Sequence, residues 1–272
     1  MAHFLCTTCG TQYPDSAEPP AACPICEDER QYVAARGQGW STLERLQASH
    51  SNAWRQLAPG LLALQTVPHF GIGQRALLVR TPAGNLLWDC LSLLDAATEA
   101  LLQGLGGLAG IAISHPHYYS SMVEWGRAFG CPVWLHADDR AHVMRPDPCL
   151  RFWEGDTAAP LPGLELHRLG GHFAGGCVLH WPGFDGGRGA ILSGDILQVV
   201  PDRRHVGFMR SYPNLIPLPP AQVTAMAARL EGRRFDAIYG AFAEREITTG
   251  GAAALAASAR RHVLWTTGMP EP

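Results

Sequence analysis

The sequence predicts a mixed protein of the α/β or α+β class that carries a small metal-binding ribbon at its N-terminus. Short apolar runs of strand length alternate with helical stretches from residue 60 to residue 263. Two C-x-x-C pairs stand within the first 26 residues. The length of 272 residues is enough for one large hydrophobic core and a small appendage.

The N-terminal cysteines form two knuckles of a kind that binds metal ions. They are Cys6, Cys9, Cys23 and Cys26. Four thiolates at this spacing suit a tetrahedral ion, and metal binding supplies folding energy that about thirty residues without a core lack. The knuckles resemble those of rubredoxin-like and zinc-ribbon modules. Zinc is the default ion and iron stays open, because both accept four thiolates. We predict a metal module at residues 1–36, which folds only with its ion, and a second domain at 37–272.

The rest of the chain alternates strands with helices. Strands are predicted at residues 61–66, 75–80, 86–89, 110–113, 133–135, 164–169, 177–181, 190–192 and 236–239. Helices are predicted at residues 92–103, 122–129, 137–144, 219–230 and 251–263, and a capping box of Ser41 and Glu44 predicts a further short one. The stretch 71–76 resembles a dinucleotide-binding fingerprint but precedes a strand, so we predict no nucleotide site there.

Composition excludes several classes of function. All 21 basic residues are arginine, which rules out a Schiff-base lysine and a phosphate-loop lysine. The net charge of −3 gives no general attraction to nucleic acid or to an anionic membrane, and no apolar run is long enough to span a membrane.

The scattered cysteines and the lack of a secretion signal predict a cytoplasmic protein. We expect a small-molecule substrate, and the sequence does not indicate an oligomeric state.

Metal-ligating residue types follow three of the predicted strands. His115 and His117 follow the strand at 110–113, His172 follows 164–169, and Asp195 follows 190–192. Pro116 favours extended backbone before it, in which alternate side chains share one face. Ligands on loops at strand ends can converge on one point. Imidazole and carboxylate suit zinc and iron alike, so we predict one Zn or Fe ion held by these four residues.

Taken in order, these stretches resemble the motifs of the metallo-β-lactamase superfamily over roughly residues 60 to 245. Leu86-Leu87-Trp88-Asp89 is similar to an early strand that ends in a structural aspartate. His115-Pro116-His117-Tyr118-Tyr119-Ser120 falls on the H-x-H-x-D-H motif, Gly171-His172-Phe173-Ala174-Gly175-Gly176 on the next histidine turn, and Ser193-Gly194-Asp195 on the bridging aspartate. The resemblance implies an α+β fold, a four-layer αββα sandwich, and a metal-dependent hydrolase.

The departures from these motifs concern the second metal ion of that superfamily. Tyr119 and Ser120 stand where the motif has its aspartate and third histidine, and Tyr239-Gly240-Ala241-Phe242 offers no last histidine. We therefore predict one ion and not two. Asp195 is predicted to ligate that ion or to orient the attacking water. Tyr119 is predicted either to place a phenol near the ion or to pack in the core.

Three functions remain open from the sequence. The first is hydrolysis of an ester, thioester, amide or phosphoester by water activated at one metal ion. The second is oxidation: His115, His172 and Asp195 form a 2-His-1-carboxylate set, which resembles the iron site of persulfide dioxygenases, with the ribbon as rubredoxin-like electron donor. The third is a non-enzymatic superfamily member whose ribbon docks a protein.

Overall fold

The N-terminal residues form a three-stranded ribbon around the cysteine knuckles. The structure is a computed structural model, and it describes residues 1–268. The ribbon contains β1 (Ala2–Cys6), β2 (Gln12–Ser16), α1 (Pro24–Glu27) and β3 (Trp40–Thr42). Both β2 and β3 pair antiparallel with β1. The ribbon sheet thus includes residues beyond the predicted boundary at residue 36.

A short helix, α2 (Leu43–Ser49), leads from the ribbon into the main domain. The predicted capping box lies one residue away from the observed cap. Thr42, and not Ser41, is the N-cap, and its hydroxyl accepts a hydrogen bond from the Arg45 backbone N–H. A cap one residue later agrees with the ordinary uncertainty of helix boundaries.

The first large sheet has seven strands. They are β4 (Ser51–Ala58), β5 (Leu61–Val67), β6 (Ala76–Thr81), β7 (Gly84–Trp88), β8 (Gly110–Ala112), β9 (Val133–His136) and β10 (Leu150–Trp153). They stand in the spatial order β10-β9-β8-β7-β6-β5-β4, antiparallel from β4 to β7 and parallel from β7 to β10. The helices α3 (Ala96–Gly104) and α4 (Met122–Phe129) belong to this half. The predicted helix at 137–144 is instead a 3₁₀ turn at Ala137–His142.

The second large sheet has six strands. They are β11 (Thr157–Leu161), β12 (Leu164–Arg168), β13 (Cys177–Trp181), β14 (Ala190–Gly194), β19 (Ala237–Gly240) and β20 (Glu246–Ile247), in that spatial order. A short turn, α5 (Phe184–Gly187), precedes β14. Between β14 and β19 lie two small ribbons, β15 (Gln198–Val199) with β16 (Val206–Gly207) and β17 (Met209–Ser211) with β18 (Ile216–Pro217), and then α6 (Pro220–Arg229). The last helix is α7 (Gly251–Thr267).

Three apolar layers hold the two sheets and their helices together. Leu77 and Val79 of β6 face the second sheet, where they meet residues such as Leu179. Neighbouring residues of the first sheet face the other way and pack with α3 and α4. The outer face of the second sheet packs on α6 and α7. This order of layers is the predicted αββα sandwich, and it arises because each strand alternates its apolar side chains between two covered faces.

None of the helices in the described part of the chain is long and apolar enough to cross a membrane.

Candidate metal centre

His115, His117 and His172 come together at one edge of the sandwich. One ring nitrogen of each lies within 4.8 Å of the others, and all three side chains are buried. His172 Nε2 lies 3.1 Å from His117 Nδ1. Asp195 joins them, because its Oδ1 lies 3.2 Å from His115 Nε2. The structure therefore brings all four predicted ligands of this site to one place.

His115 is positioned by the end of β8 and by Asp89. The residue before it, Ser114, donates its backbone N–H to Asp89 Oδ1 over 2.8 Å. The Ser114 hydroxyl lies 2.9 Å from His115 Nδ1, so the opposite ring nitrogen, Nε2, faces the cluster. Asp89 is nearly fully buried and holds the loop as a structural aspartate, as the motif implied.

His117 reaches the cluster by a different backbone path from the one predicted. His115 is extended, with φ −172° and ψ 171°, but residues Pro116–Tyr118 form a 3₁₀ turn. The prediction that alternate residues of an extended segment share one face is therefore wrong for His117. Pro116 starts this turn, because its fixed φ suits the first position of a helical turn.

His172 stands in the glycine-rich turn between β12 and β13. Its Nδ1 donates to the backbone carbonyl of Arg210 over 2.8 Å. A carbonyl can only accept, so the proton stays on Nδ1 and the lone pair of Nε2 points to the cluster. Gly171, with φ +85°, lies so close to Met226 that a Cβ would be 2.7 Å from its sulfur. The close approach explains why a glycine precedes the histidine.

Asp195 follows Gly194 at the end of β14. Gly194 has φ +55°, and a Cβ there would lie 2.6 Å from Ser114 Oγ and 3.3 Å from Asp89 Oδ2. The loops that carry His115 and Asp195 thus meet at this glycine. The carbonyl of Asp195 accepts a hydrogen bond of 2.8 Å from the Tyr212 hydroxyl.

Replacing Gly194 with alanine is expected to destabilise the protein by about 2–5 kcal/mol, because a strained φ and an overpacked contact add together. Gly130→Ala is the matched control, since Gly130 has φ +59° but nothing within 4 Å of its added Cβ. We expect the control to cost only about 1–2 kcal/mol. Urea unfolding of both variants measures the difference, and equal costs would contradict the close approach of the two loops.

Burial sets the protonation of the four side chains. It lowers the pKa of His115 and of His117 well below the ordinary range, and it lowers the pKa of His172 to about 4. Burial raises the pKa of the Asp195 carboxyl to about 7. Neutral imidazoles are the form that ligates metal ions.

The ring nitrogens and the carboxylate oxygen at this centre are better placed to bind a metal ion than to form hydrogen bonds with one another. His115 Nε2 and Asp195 Oδ1 are close, yet neither has an aligned hydrogen-bond partner in the described part of the chain. Unpaired polar atoms in a buried site are costly. Donors bound to one ion at about 2.0–2.1 Å in tetrahedral geometry stand about 3.3 Å apart, which agrees with the 3.1 and 3.2 Å separations found here.

Two tyrosines, Tyr118 and Tyr119, follow His117. Both are buried and belong to the apolar layer between the first sheet and its helices. The ring of Tyr118 stands 4.4 Å from that of His115. Burial and the neighbouring Asp195 raise the pKa of Tyr118 well above its ordinary value. Tyr118 is thus the phenol that the structure places beside His115, and a role for Tyr119 at the ion stays a prediction.

The three positions of the superfamily's second ion offer no donor. Tyr119 lies in the core, and Phe242 has no donor atom. The Ser120 hydroxyl already accepts from Gln74 over 3.0 Å and donates to the Cys90 carbonyl over 3.4 Å. The single ion at this centre stays a prediction, and the contacts of these three residues agree with it.

The four cysteines of the ribbon form a second candidate metal site. Their sulfurs lie within 4.8 Å of one another, and all four are buried. Sγ of Cys6 lies 3.6 Å from that of Cys26, and Sγ of Cys9 lies 3.6 Å from that of Cys23. These distances are too long for disulfides and close to the roughly 3.8 Å expected between thiolates on one tetrahedral ion. The site therefore fits the predicted Cys₄ ion.

The ribbon is held against the main domain on two sides. On one side the backbone N–H of Gln12 donates to the Ser120 carbonyl over 3.0 Å, and the Ser92 hydroxyl donates to the Gly10 carbonyl over 2.9 Å. On the other side the segment after β17 takes part. Asn214 Nδ2 donates to the carbonyls of Glu29 and Gln31, each over 2.9 Å.

A cavity of about 280 Å³ lies between the ribbon and the histidines. Its walls combine ribbon residues with residues of the main domain, namely Thr8, Arg30, Gln31, Tyr32, His69, Gly71, Ile72, His117, His172, Asp195, Gln198, Tyr212, Pro213 and Phe242. Arg30 is the cationic side chain beside the histidines, and its guanidinium lies 3.9 Å above the Phe173 ring. Asp28 accepts two hydrogen bonds of 2.6 Å from it.

Sequence reasoning missed the part of this cavity that the ribbon supplies. Arg30 follows the second knuckle by four residues, and no short motif connects it with a histidine more than eighty residues away. Tyr212 and Pro213, in the loop between β17 and β18, also line the cavity. Arg210 of β17 pairs with Glu29.

Comparisons with known proteins agree with this architecture. No protein-family model matches the sequence. YmaE of Bacillus subtilis (strain 168), described as an uncharacterized protein, is 46% identical over 246 residues, which are 90% of each chain.

Solved structures show the same fold at low sequence identity. The crystal structure of VMB-1 matches with a TM-score of 0.60 and 10% identity, over 79% of this chain and 98% of that one. The DIM-1 metallo-β-lactamase matches with a TM-score of 0.58 and 12% identity, over 78% and 97%. The Cronobacter sakazakii metallo-β-lactamase matches with a TM-score of 0.50 and 18% identity, over 79% and 93%. The chain therefore belongs to one family with YmaE, and its main domain has the metallo-β-lactamase fold.

Proposed function

We propose that the protein is a hydrolase that uses a single metal ion, held by His115, His117, His172 and Asp195, to cleave a small molecule. The observation that carries this proposal is the convergence of three buried imidazoles and one carboxylate, of which His117, His172 and Asp195 line a cavity. A divalent ion held there would supply Lewis acidity, and also a water nucleophile at neutral pH when its coordination expands to five. The substrate class is an ester, thioester, amide or phosphoester.

The chain's own residues have separable tasks in this proposal. Asp195 ligates the ion and offers its second oxygen to orient a water or to accept a proton. Tyr118 stands beside Asp195 with a buried hydroxyl that has no aligned partner among the described residues, so it is available to donate a hydrogen bond. The ribbon forms part of the cavity wall and would thereby limit the access of bulk water, which strengthens electrostatic interactions inside.

The size and the walls of the cavity also limit which substrates can fit. Its volume of about 280 Å³ is at the lower end of ordinary ligand sites. The walls are largely aromatic and apolar, from Tyr32, Ile72 and Phe242, while Arg30 supplies one positive charge that Asp28 partly neutralises. A small substrate with an apolar portion fits these walls.

A hydrolysis assay with a matched pair of variants tests the proposal. We expect the wild-type protein to cleave at least one of the four bond types, and a chelator to remove the activity until metal is restored. His117→Gln is expected to lower kcat/KM by about a thousandfold or more, because the metal contributes several kcal/mol. The control is His205→Gln, which changes a partly exposed histidine bonded to Asp202. Equal loss in both variants, or cleavage of none of the bonds, would contradict the proposal.

The second candidate function is an oxidoreductase, and one observation favours it. Thr8 of the first knuckle and Arg30–Tyr32, which follow the second, line the same cavity as His117 and His172. An iron ion in the ribbon would then lie near an iron ion at the histidines, as electron transfer requires. His117 favours the hydrolase, because it adds a third imidazole ligand to the 2-His-1-carboxylate set that iron oxygenases use. Iron in both sites, with a visible absorbance band, would favour the oxidoreductase, whereas zinc would favour the hydrolase.

A further inference from the structure

A second group of histidine and glutamate side chains lies on the outer face of the second sheet. Glu165 and His167 stand on β12, and His180 stands directly opposite Glu165 on β13. One donor atom of each residue lies within 4.8 Å of the other two. The spacing of these residues along the chain does not form a recognisable metal-binding motif. The antiparallel register of β12 and β13 brings them together.

This group is separate from the candidate metal centre. The strand β12 runs from Glu165 towards the His172 turn, and β13 runs from that turn towards His180. Glu165 and His180 therefore lie towards the end of these strands that is far from His172, and His167 lies two residues closer to the turn on β12. The group lies on the side of α6, because Leu166 and Leu179, which alternate with it, face the first sheet.

The Glu165 carboxylate lies near both histidines, and its contact with His167 is also a hydrogen bond. Oε2 of Glu165 lies 3.1 Å from His167 Nε2 and 3.8 Å from His180 Nδ1. Donors bound to one Zn²⁺ stand about 3.3 Å apart, which lies between these two values. The separations thus resemble those of the histidine cluster described above.

His180 supplies an independent indication of a cation. Its ring Nε2 lies 3.0 Å from the carbonyl of Arg234, which can only accept, so the proton is on Nε2. The lone pair of Nδ1 then faces the Glu165 carboxylate. This nitrogen is buried in a side chain that is only 5% exposed, and it has no hydrogen-bond partner in the described part of the chain. A positive ion between the lone pair and the carboxylate would satisfy both.

Arg233 is the cation that the structure places at this carboxylate. Its Nη1 lies 3.2 Å from Glu165 Oε2, and its side chain is 41% exposed. It has no hydrogen bond to His180 Nδ1, which stays unpaired in the described part of the chain. A half-exposed ion pair of this kind is weak, so Arg233 can turn into solvent at little cost.

We propose that Glu165, His167 and His180 bind a divalent transition-metal ion of the zinc class, in competition with Arg233. Two imidazoles and one carboxylate form a ligand set that Zn²⁺ accepts, and the fourth position opens to solvent once the guanidinium has moved. The ion would cross-link β12 and β13 at the end of α6.

A zinc titration of the full-length protein, with the ribbon and the histidine centre already loaded, tests this site. Competition with a chromophoric chelator measures the affinity, and we expect the wild type to bind one further equivalent. Glu165→Gln should weaken that binding by more than about a hundredfold, because it removes a ligand. Arg233→Gln should strengthen it by up to about fivefold, since a competing cation is removed.

The matched control is Arg229→Gln, because Arg229 ends α6 four residues before Arg233 but pairs with Asp156. We expect its zinc affinity to equal that of the wild type. The proposal is overturned if the wild type takes up no further zinc, or if Glu165→Gln binds it as tightly as the wild type. An affinity of Arg233→Gln no higher than that of Arg229→Gln would contradict the competition. Should Glu165→Gln fail to fold, His167→Gln replaces it with the same expected loss.

Discussion

Protein in which Cys6 and Cys23 are both replaced by serine is expected to lose one metal ion and the folded structure of its ribbon. One thiolate is removed from each knuckle, so neither remaining cysteine pair can hold the ion alone. Metal binding to a structural Cys₄ site contributes about 10–16 kcal/mol. The few apolar side chains around the knuckles, such as Ile25 and Tyr13, do not replace that energy.

The histidine centre should keep its ion in this variant, because all four of its ligands belong to the main domain. The cavity should nevertheless open, since Arg30, Gln31 and Tyr32 would leave its wall. Elemental analysis measures the lost equivalent, and amide hydrogen exchange measures the loss of protection in residues 1–42.

Cys149→Ser is the control for that experiment, as it changes a half-buried cysteine of the main domain. It should retain every ion and the protection of the ribbon. Retention of all ions by the double variant would contradict the Cys₄ assignment. Loss of both ions would instead show that the ribbon holds the histidine centre together.

The features that could be predicted from the sequence are formed by residues that are close together in the chain. The H-x-H pair, the glycine turn at His172 and the Ser-Gly-Asp at Asp195 each follow a strand whose apolar run is visible in the sequence. Their order along the chain was enough to indicate one site. The strand β4 was not predicted, because most of its residues are polar or partly exposed at the edge of the sheet.

Features that depend on contacts between residues far apart in the chain could not be predicted from the sequence. The position of Arg30 in the cavity wall depends on hydrogen bonds between the ribbon and Asn214, more than 180 residues apart. The meeting of Glu165 with His180 depends on strand register. The position of Tyr118 beside His115 depends on one 3₁₀ turn, Pro116–Tyr118, which no pattern in the sequence predicted.

A single ion bound by His115, His117, His172 and Asp195 is the central claim of this account. A second ion beside it would need ligands of its own, and Ser120 and Phe242 do not provide them. Asp195 alone would not retain a second ion against water. The difference between one and two ions has a large effect on the chemistry of the site, because a second ion changes both the charge of the site and the water that is activated.

Anomalous diffraction from crystals of protein purified without chelator measures this most directly. We predict one peak within bonding distance of His117 and His172, and a separate peak among the four cysteines of the ribbon. Two peaks a few ångströms apart, both within reach of Asp195, would contradict the single-ion centre and indicate a binuclear hydrolase. An absent peak at the histidines, in protein that cannot take up metal there, would contradict the metal centre itself.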